Sequence, residues 1–164
     1  MLLNFLHNTH DGVFFTNAAG VLTFVNPYLL RTLGYENANE LLGRPVPDEN
    51  WDNPNDKAQL LRDLQHQGFV RERMLTLRHV AGDPVYVSCS AVSVLNPEGS
   101  YVGAEVMLCN VTGKRKLETR RLDEIESLRR QACAINELLR SGEVDAAKTE
   151  VQVLVETLDG LSRN

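Results

Sequence analysis

Apolar positions along the chain repeat with three different periods, and the changes of period mark its elements. Val13-Phe14-Phe15-Thr16 is short, β-branched and aromatic, which suits a strand. Asn17 to Gly20 breaks it with residues that tolerate tight-turn backbone, and Val21 to Val25 is a second strand, so the pair predicts a hairpin. At Asn26-Pro27 the period becomes helical. Asn can cap a helix through its side-chain oxygen, and Pro is tolerated in a first turn. Tyr28, Leu29, Leu30 and Leu33 follow, and Gly34 stops that helix. Glu36 to Leu42 supports one more short helical turn, ended by Gly43. Arg44 to Asn55 is loop by composition, with three prolines, three asparagines and four charges.

A second helix is expected over Asp56 to Gln67, with Asp56 as its cap, Ala58, Leu60, Leu61 and Leu64 as its apolar stripe, and Gly68 as its stop. Three strands are then predicted: Phe69–Val80, Val85–Leu95 and Tyr101–Val111, separated by the turns Ala81–Pro84 and Asn96–Ser100. Two early strands, three late ones and helices between them predict an α+β domain: a five-stranded antiparallel sheet with helices on one side.

From Lys114 the period changes again. Ile125, Leu128, Ala132, Ile135 and Leu139 recur at spacings of three and four, with charged residues between them. Ser141-Gly142-Glu143 breaks the pattern, and Val144, Ala147, Val151, Leu154, Leu158 and Leu161 resume it. This predicts a two-helix hairpin of coiled-coil type. A hairpin alone buries little, so its seams are expected to meet a second chain, and a homodimer would form a four-helix bundle. At the other end, Leu2, Leu3, Phe5 and Leu6 predict a helical cap, serving either to cover the open side of the sheet or to make a dimer contact. The expected organisation is a cap over residues 1–10, a domain over 11–113 and a hairpin over 114–164.

Composition narrows the function. The chain is 43% hydrophobic and 24% charged, which is ordinary globular usage. Residues 1–113 carry 7 basic and 12 acidic side chains and residues 114–164 carry 10 of each, so no basic face is offered to a nucleic acid. No apolar run approaches the ~20 residues that span a bilayer, and Met1-Leu2-Leu3 lacks the form of a secretory signal. Cys89, Cys109 and Cys133 are odd in number and widely spaced, which fits a reducing, cytoplasmic compartment. Cys89 and Cys109 fall within strands and are expected as buried small hydrophobes. No nucleophile elbow, phosphate-binding glycine loop or metal-spaced cluster is present, so no enzyme activity is expected.

Several stretches in order resemble the PAS family. They are Asp11-Gly12, the glycine-turn hairpin, Val25-Asn26-Pro27, Leu33-Gly34-Tyr35 and Glu40-Leu41-Leu42-Gly43, with Gly82-Asp83 between later strands. Asn110-Val111-Thr112-Gly113-Lys114-Arg115-Lys116-Leu117-Glu118 is similar to the family's exit motif, Asp-Ile-Thr-Glu-Arg-Lys, with Asn110 for Asp and Gly113 for Glu. The resemblance spans about residues 8–118 and implies a sensory module whose interior can hold a ligand. Trp51 borders that interior as a lid on the core or as a stacking surface. Val92, Val94, Val106 and Leu108 sit at alternate strand positions whose face the sequence leaves open. His66 lies on the helix that carries the proximal ligand in haem-binding members, although its place in the last turn also suits an exposed histidine.

The resemblance leaves the cofactor undefined. A non-covalent flavin is one candidate and haem a weaker one. The light-sensing members' cysteinyl adduct is excluded, because Leu41 to Val46 holds no cysteine and Leu108 replaces the last-strand glutamine. Asn110 and Thr112 are the expected relay into the hairpin, with Ile125, Leu128, Ile135, Leu139, Val151, Leu154 and Leu158 as its pairing surface. The hairpin resembles the dimerisation hairpin of sensor histidine kinases. However, His7, His10, His66 and His79 are the only histidines, so it lacks a phosphoacceptor. The functional expectation is a sensor that relays a ligand, redox or partner signal to an effector protein through this hairpin. The alternatives are a ligand-free interaction scaffold or the sensory part of a larger signalling enzyme.

Overall fold

A computed structural model of the chain describes residues 6–161. Its first hairpin forms where the apolar runs predict it: β1 (Gly12–Asn17) pairs antiparallel with β2 (Leu22–Val25). Asn17 shapes the turn, its Oδ1 accepting from the backbone N–H groups of Ala19 and Val21, both at 3.0 Å.

Helix α1 (Pro27–Leu33) follows at once. Asn26 caps it, with Oδ1 accepting from Leu29 N at 3.0 Å, and Pro27 opens the first turn. Its end at Gly34 is fixed by backbone conformation and by space. Gly34 has φ +86°, and an added Cβ would lie 2.3 Å from the His79 ring.

Helix α2 (Pro54–Gln67) starts earlier than the sequence suggests. Asn53, not Asp56, is the cap, accepting from Asn55 N at 3.1 Å, with Pro54 in the first turn. Proline presets the helical φ and needs no hydrogen bond there, so it starts the helix. Asp56 then sits in the first turn, where a negative charge suits the helix's positive end.

The sheet is completed by β3 (Phe69–Arg78), β4 (Pro84–Leu95) and β5 (Tyr101–Asn110), all antiparallel, in the order β2-β1-β5-β4-β3. β3 stops at Arg78, short of the expected Val80. His79 N and Val80 N donate instead to Asp83 O and Leu33 O, which turns the chain out of the ladder. Loop backbone pairs with part of each sheet edge. Trp51 bridges to Leu77 beside β3, and Val21 to Pro45 beside β2.

The core lies on one face of the sheet. β4 contributes Val85, Val87, Cys89 and Ala91, β5 contributes Ala104, Val106 and Leu108, and β3 contributes Leu75 and Leu77. Leu29 and Leu33 of α1 and Leu60 and Leu64 of α2 pack onto them. The opposite face carries Phe69, Val92 and Met107, which are exposed. Val13 is buried on that side, where Leu6 shares its groove. Residues 6–8 are helical, and the remainder of the expected cap at Leu2, Leu3 and Phe5 lies outside the described residues.

The chain divides into two compact units, residues 1–113 and 114–164. In the second, α3 (Thr112–Ser141) and α4 (Val144–Leu161) are joined through Gly142, whose φ of +84° ends the first helix. No helix among the described residues is long and apolar enough to cross a membrane.

Candidate functional site

The interior of the first unit is held in shape by a loop clamp that the sequence reading missed. Asn50 is buried beside Trp51. Its Oδ1 accepts from Tyr35 Oη at 2.7 Å, and its Nδ2 donates to Arg78 O at 2.9 Å. One asparagine therefore ties the Gly34-Tyr35 corner to the end of β3. Burial raises the Tyr35 hydroxyl above its ordinary range; the Asn50 hydrogen bond opposes this, and Glu49 and Glu40 add to it. Neutral Tyr35 is the form that donates to Asn50. The Leu33-Gly34-Tyr35 spelling was the available signal, but only packing shows that the tyrosine answers an asparagine fifteen residues on.

Trp51, held by this clamp, is 7% exposed and is part of the core. It packs on the core as a lid would and also lines two voids inside. One, about 20 Å³, lies among Phe14, Leu29, Leu33, Leu75, Cys89 and Leu108. The other, about 90 Å³, lies between the β1–β2 turn, Pro45-Val46 and α2. Leu108 and Val106 face this interior as candidates should.

The other expected ligand residues do not. Val92 is 48% exposed on the outer face of the sheet. Val94 follows it on the same side, because Val85, Val87, Cys89 and Ala91 take the inner positions of β4. His66 is exposed in the last turn of α2, away from the cavity lining.

These positions decide the cofactor fit. Pockets for flat, drug-sized groups run to roughly 300–1,000 Å³. The central void is only about 20 Å³, and Asn50, a polar side chain on its wall, is already committed to Tyr35 and Arg78. Neither an isoalloxazine nor a porphyrin fits this interior as packed, and His66 is not placed to ligate iron. Among the described residues no group of three or more His, Cys, Asp or Glu side chains could hold a metal.

The cysteines divide by environment. Cys89 is fully buried, and burial pushes its thiol up to about 12, against a smaller opposing pull from Arg73. Cys109 is exposed, which corrects the buried reading: it sits at an outward position of β5. Its thiol is raised by partial burial and by the hydrogen bond and charge of Asp11. A thiol reagent at about pH 8 should therefore modify Cys109 and Cys133 in the folded protein, and Cys89 only at the rate of unfolding. Three equally fast thiols would contradict the packing. The unfolded thiol ionises near 9.0 and the folded one at about 12. The proton held by the fold thus stabilises it below pH 9.0, and that contribution is lost as pH rises toward 12.

The exit from the sheet is anchored on one residue of β4. Tyr86 N donates to Thr112 Oγ1 at 2.9 Å, Thr112 Oγ1 reaches Tyr86 O at 3.4 Å, and Val111 N donates to Tyr86 O at 2.9 Å. Asn110 Oδ1 accepts from Thr112 N at 2.9 Å, so asparagine does what the family's usual aspartate can do at this corner.

In the second unit, Leu128, Ile135 and Leu154 are half-buried and Ala147 is buried. Ile125, Leu139, Val151 and Leu158 are exposed, as are Ala132 and Val144. Two positions of each expected seam are covered, and the others, Leu161 among them, are open.

The profile of the PAS fold matches residues 1–108, and the chain belongs to the PAS family. Solved structures share the fold. A PAS domain from Colwellia psychrerythraea is 17% identical, with a TM-score of 0.59 over 68% of this chain and 95% of that one. A sensory box histidine kinase/response regulator from Burkholderia thailandensis is 19% identical, with a TM-score of 0.56 over 79% and 98%. The Rhodobacter sphaeroides LOV protein is 15% identical, with a TM-score of 0.55 over 97% and 93%. No curated protein matches the chain.

Proposed function

We propose that this chain is a cytoplasmic sensory module in which residues 11–113 detect a small molecule and residues 114–164 pass the response to a second copy and to an effector protein. The observation that carries the reading is the anchoring of the exit on Tyr86. The residues flanking Tyr86 on β4, Val85 and Val87, face the core. A change in core packing that shifts this strand moves Tyr86, and with it the hydrogen bonds that set the first turn of α3. Such a relay needs two packings separated by only a few kcal/mol.

Thr112→Val removes the hydroxyl and leaves Tyr86 N without that acceptor, so it should cost about 1–2 kcal/mol in thermal or denaturant unfolding of the PAS unit. It should also uncouple the two units. The test is a double-mutant cycle on the dimer constant measured by sedimentation. Val87→Ala, which opens a small core cavity, should change dimerisation in the parent protein and not in the Thr112→Val background. Strictly additive effects would reject the relay.

The tightly filled central void favours a ligand much smaller than flavin. It also supports a second reading, in which the core binds no ligand and the module responds to a protein partner.

A further inference from the structure

The second void has features of a built pocket. It is about 90 Å³, and its walls are mostly apolar, from Phe14, Val46, Leu60, Leu64, Ala104 and Val106. Thr16 and Trp51 also line it, and each carries a buried polar atom with no hydrogen-bond partner among the described residues: Thr16 Oγ1 and Trp51 Nε1. Buried polar atoms are nearly always paired, so two such atoms on residues that line one small pocket require an explanation.

Water alone explains them poorly. Water-sized occupancy takes roughly 10–15 Å³ each, so the void has room for about six to nine waters, and each water needs two to four polar partners. Two free side-chain atoms supply few of these, so waters there would pair mainly with one another along apolar walls. A molecule of about six non-hydrogen atoms with an apolar body and one oxygen satisfies the walls and the two atoms together.

The chemistry narrows further. An indole N–H only donates, so the ligand's polar atom must accept; a threonine hydroxyl can donate or accept. Lys57 is the cation at this pocket, and its Nζ already donates to Val46 O at 2.7 Å and Asp48 Oδ1 at 2.6 Å. Its charge is compensated, so a carboxylate would be desolvated with no free counter-charge to meet it.

We infer that the pocket between the β1–β2 turn and α2 binds a small neutral carbonyl or alcohol compound, its oxygen held by Trp51 Nε1 and Thr16 Oγ1. This rests on the sensory reading above and gives it a ligand class. It also assigns Thr16, which the sequence reading passed over as an ordinary strand residue.

Trp51 is the only tryptophan, so its indole N–H gives one resonance in a ¹⁵N-labelled sample of the full chain. The probe is cyclopentanone, with cyclopentane as the apolar comparison and butanoate as the charged one. The ketone should shift the indole signal saturably, with a dissociation constant of about 1–10 mM, in the range open to a ligand of this size. Cyclopentane and butanoate should bind at least tenfold more weakly. Thr16→Val, which keeps the shape and removes the hydroxyl, should weaken the ketone several-fold, and Leu61→Phe at the pocket wall should abolish its binding.

A linear, unsaturable shift, or long-lived water contacts to the indole that the ketone does not displace, would make this a hydration site and overturn the inference. Equal binding of cyclopentane would remove the role of the polar pair, and tighter binding of butanoate would refute the neutral class. The sensory reading fails separately. If the ketone does not bind but Val87→Ala still alters dimerisation through Thr112, the relay stands and only the ligand class falls.

Discussion

Asn26→Ala is expected to destabilise the PAS unit by about 4 kcal/mol, lowering its melting midpoint by roughly 15 °C, because the loss exceeds a helix cap. Asn26 is 0% exposed and all of its polar capacity is in use. Its Oδ1 accepts from Val13 N and Leu29 N at 3.0 Å each, and its Nδ2 donates to Leu6 O and Asp11 O at 2.9 Å each. The side chain thus joins the start of β1, the start of α1 and the N-terminal helical residues. Alanine leaves two buried donors and two acceptors without it, each costing roughly 1–3 kcal/mol if no other partner arrives. Asn26→Ser separates the contributions. Serine can still cap α1 and should recover about 1 kcal/mol, but it is too short to bridge Leu6 and Asp11. Thermal unfolding followed by circular dichroism provides the measurement. If serine restored full stability, the capping bond alone would account for the residue and the three-way junction would be irrelevant.

Asn26 also marks what could be read from the sequence. The cap was legible because Asn-Pro before an apolar helix is a local signal, and so were the strands, whose alternation is local. The two further bonds to Leu6 and Asp11 depend on where the chain returns, and no local pattern encodes that. The same holds for the site. Trp51 was identifiable by family position as a residue bordering the interior. Val92 and Val94 were not separable from Val106 and Leu108, since strand alternation gives two faces and does not say which is inside; that follows from the Ala91↔Val106 register, which the ladder sets. His66 shows the limit of placing a residue by its helix alone, because the last turn of α2 points it to solvent. Thr16 and Asn50 lay beyond sequence reasoning. One is polar in a strand and the other polar in a loop, and only their burial distinguishes them from many such residues.

The second large effect concerns the helices. A single glutamate at Val151 or Leu158 should weaken self-association at least about 100-fold while leaving the PAS unit's unfolding unchanged. Ile125, Ala132 and Leu139 on α3, and Val144, Val151 and Leu158 on α4, repeat at heptad spacing and are all exposed. The alternate seam positions Leu128, Ile135 and Leu154 are half-buried. A heptad row left open over two helices is what a second pair of helices covers in a four-helix bundle, and a charge placed there would be buried without a partner. Val153→Glu is the control that distinguishes this from general stickiness. Val153 is as exposed as Val151 and as apolar, but it lies off the row, so its charge should remain in solvent and leave the dimer intact. Sedimentation equilibrium of the parent and the three variants at micromolar concentration decides the matter. A monomeric parent would remove the bundle. Equal weakening by Val153→Glu and Val151→Glu would show that exposed apolar area drives association without the heptad register, and the relay from Thr112 would then lack a defined packing to switch.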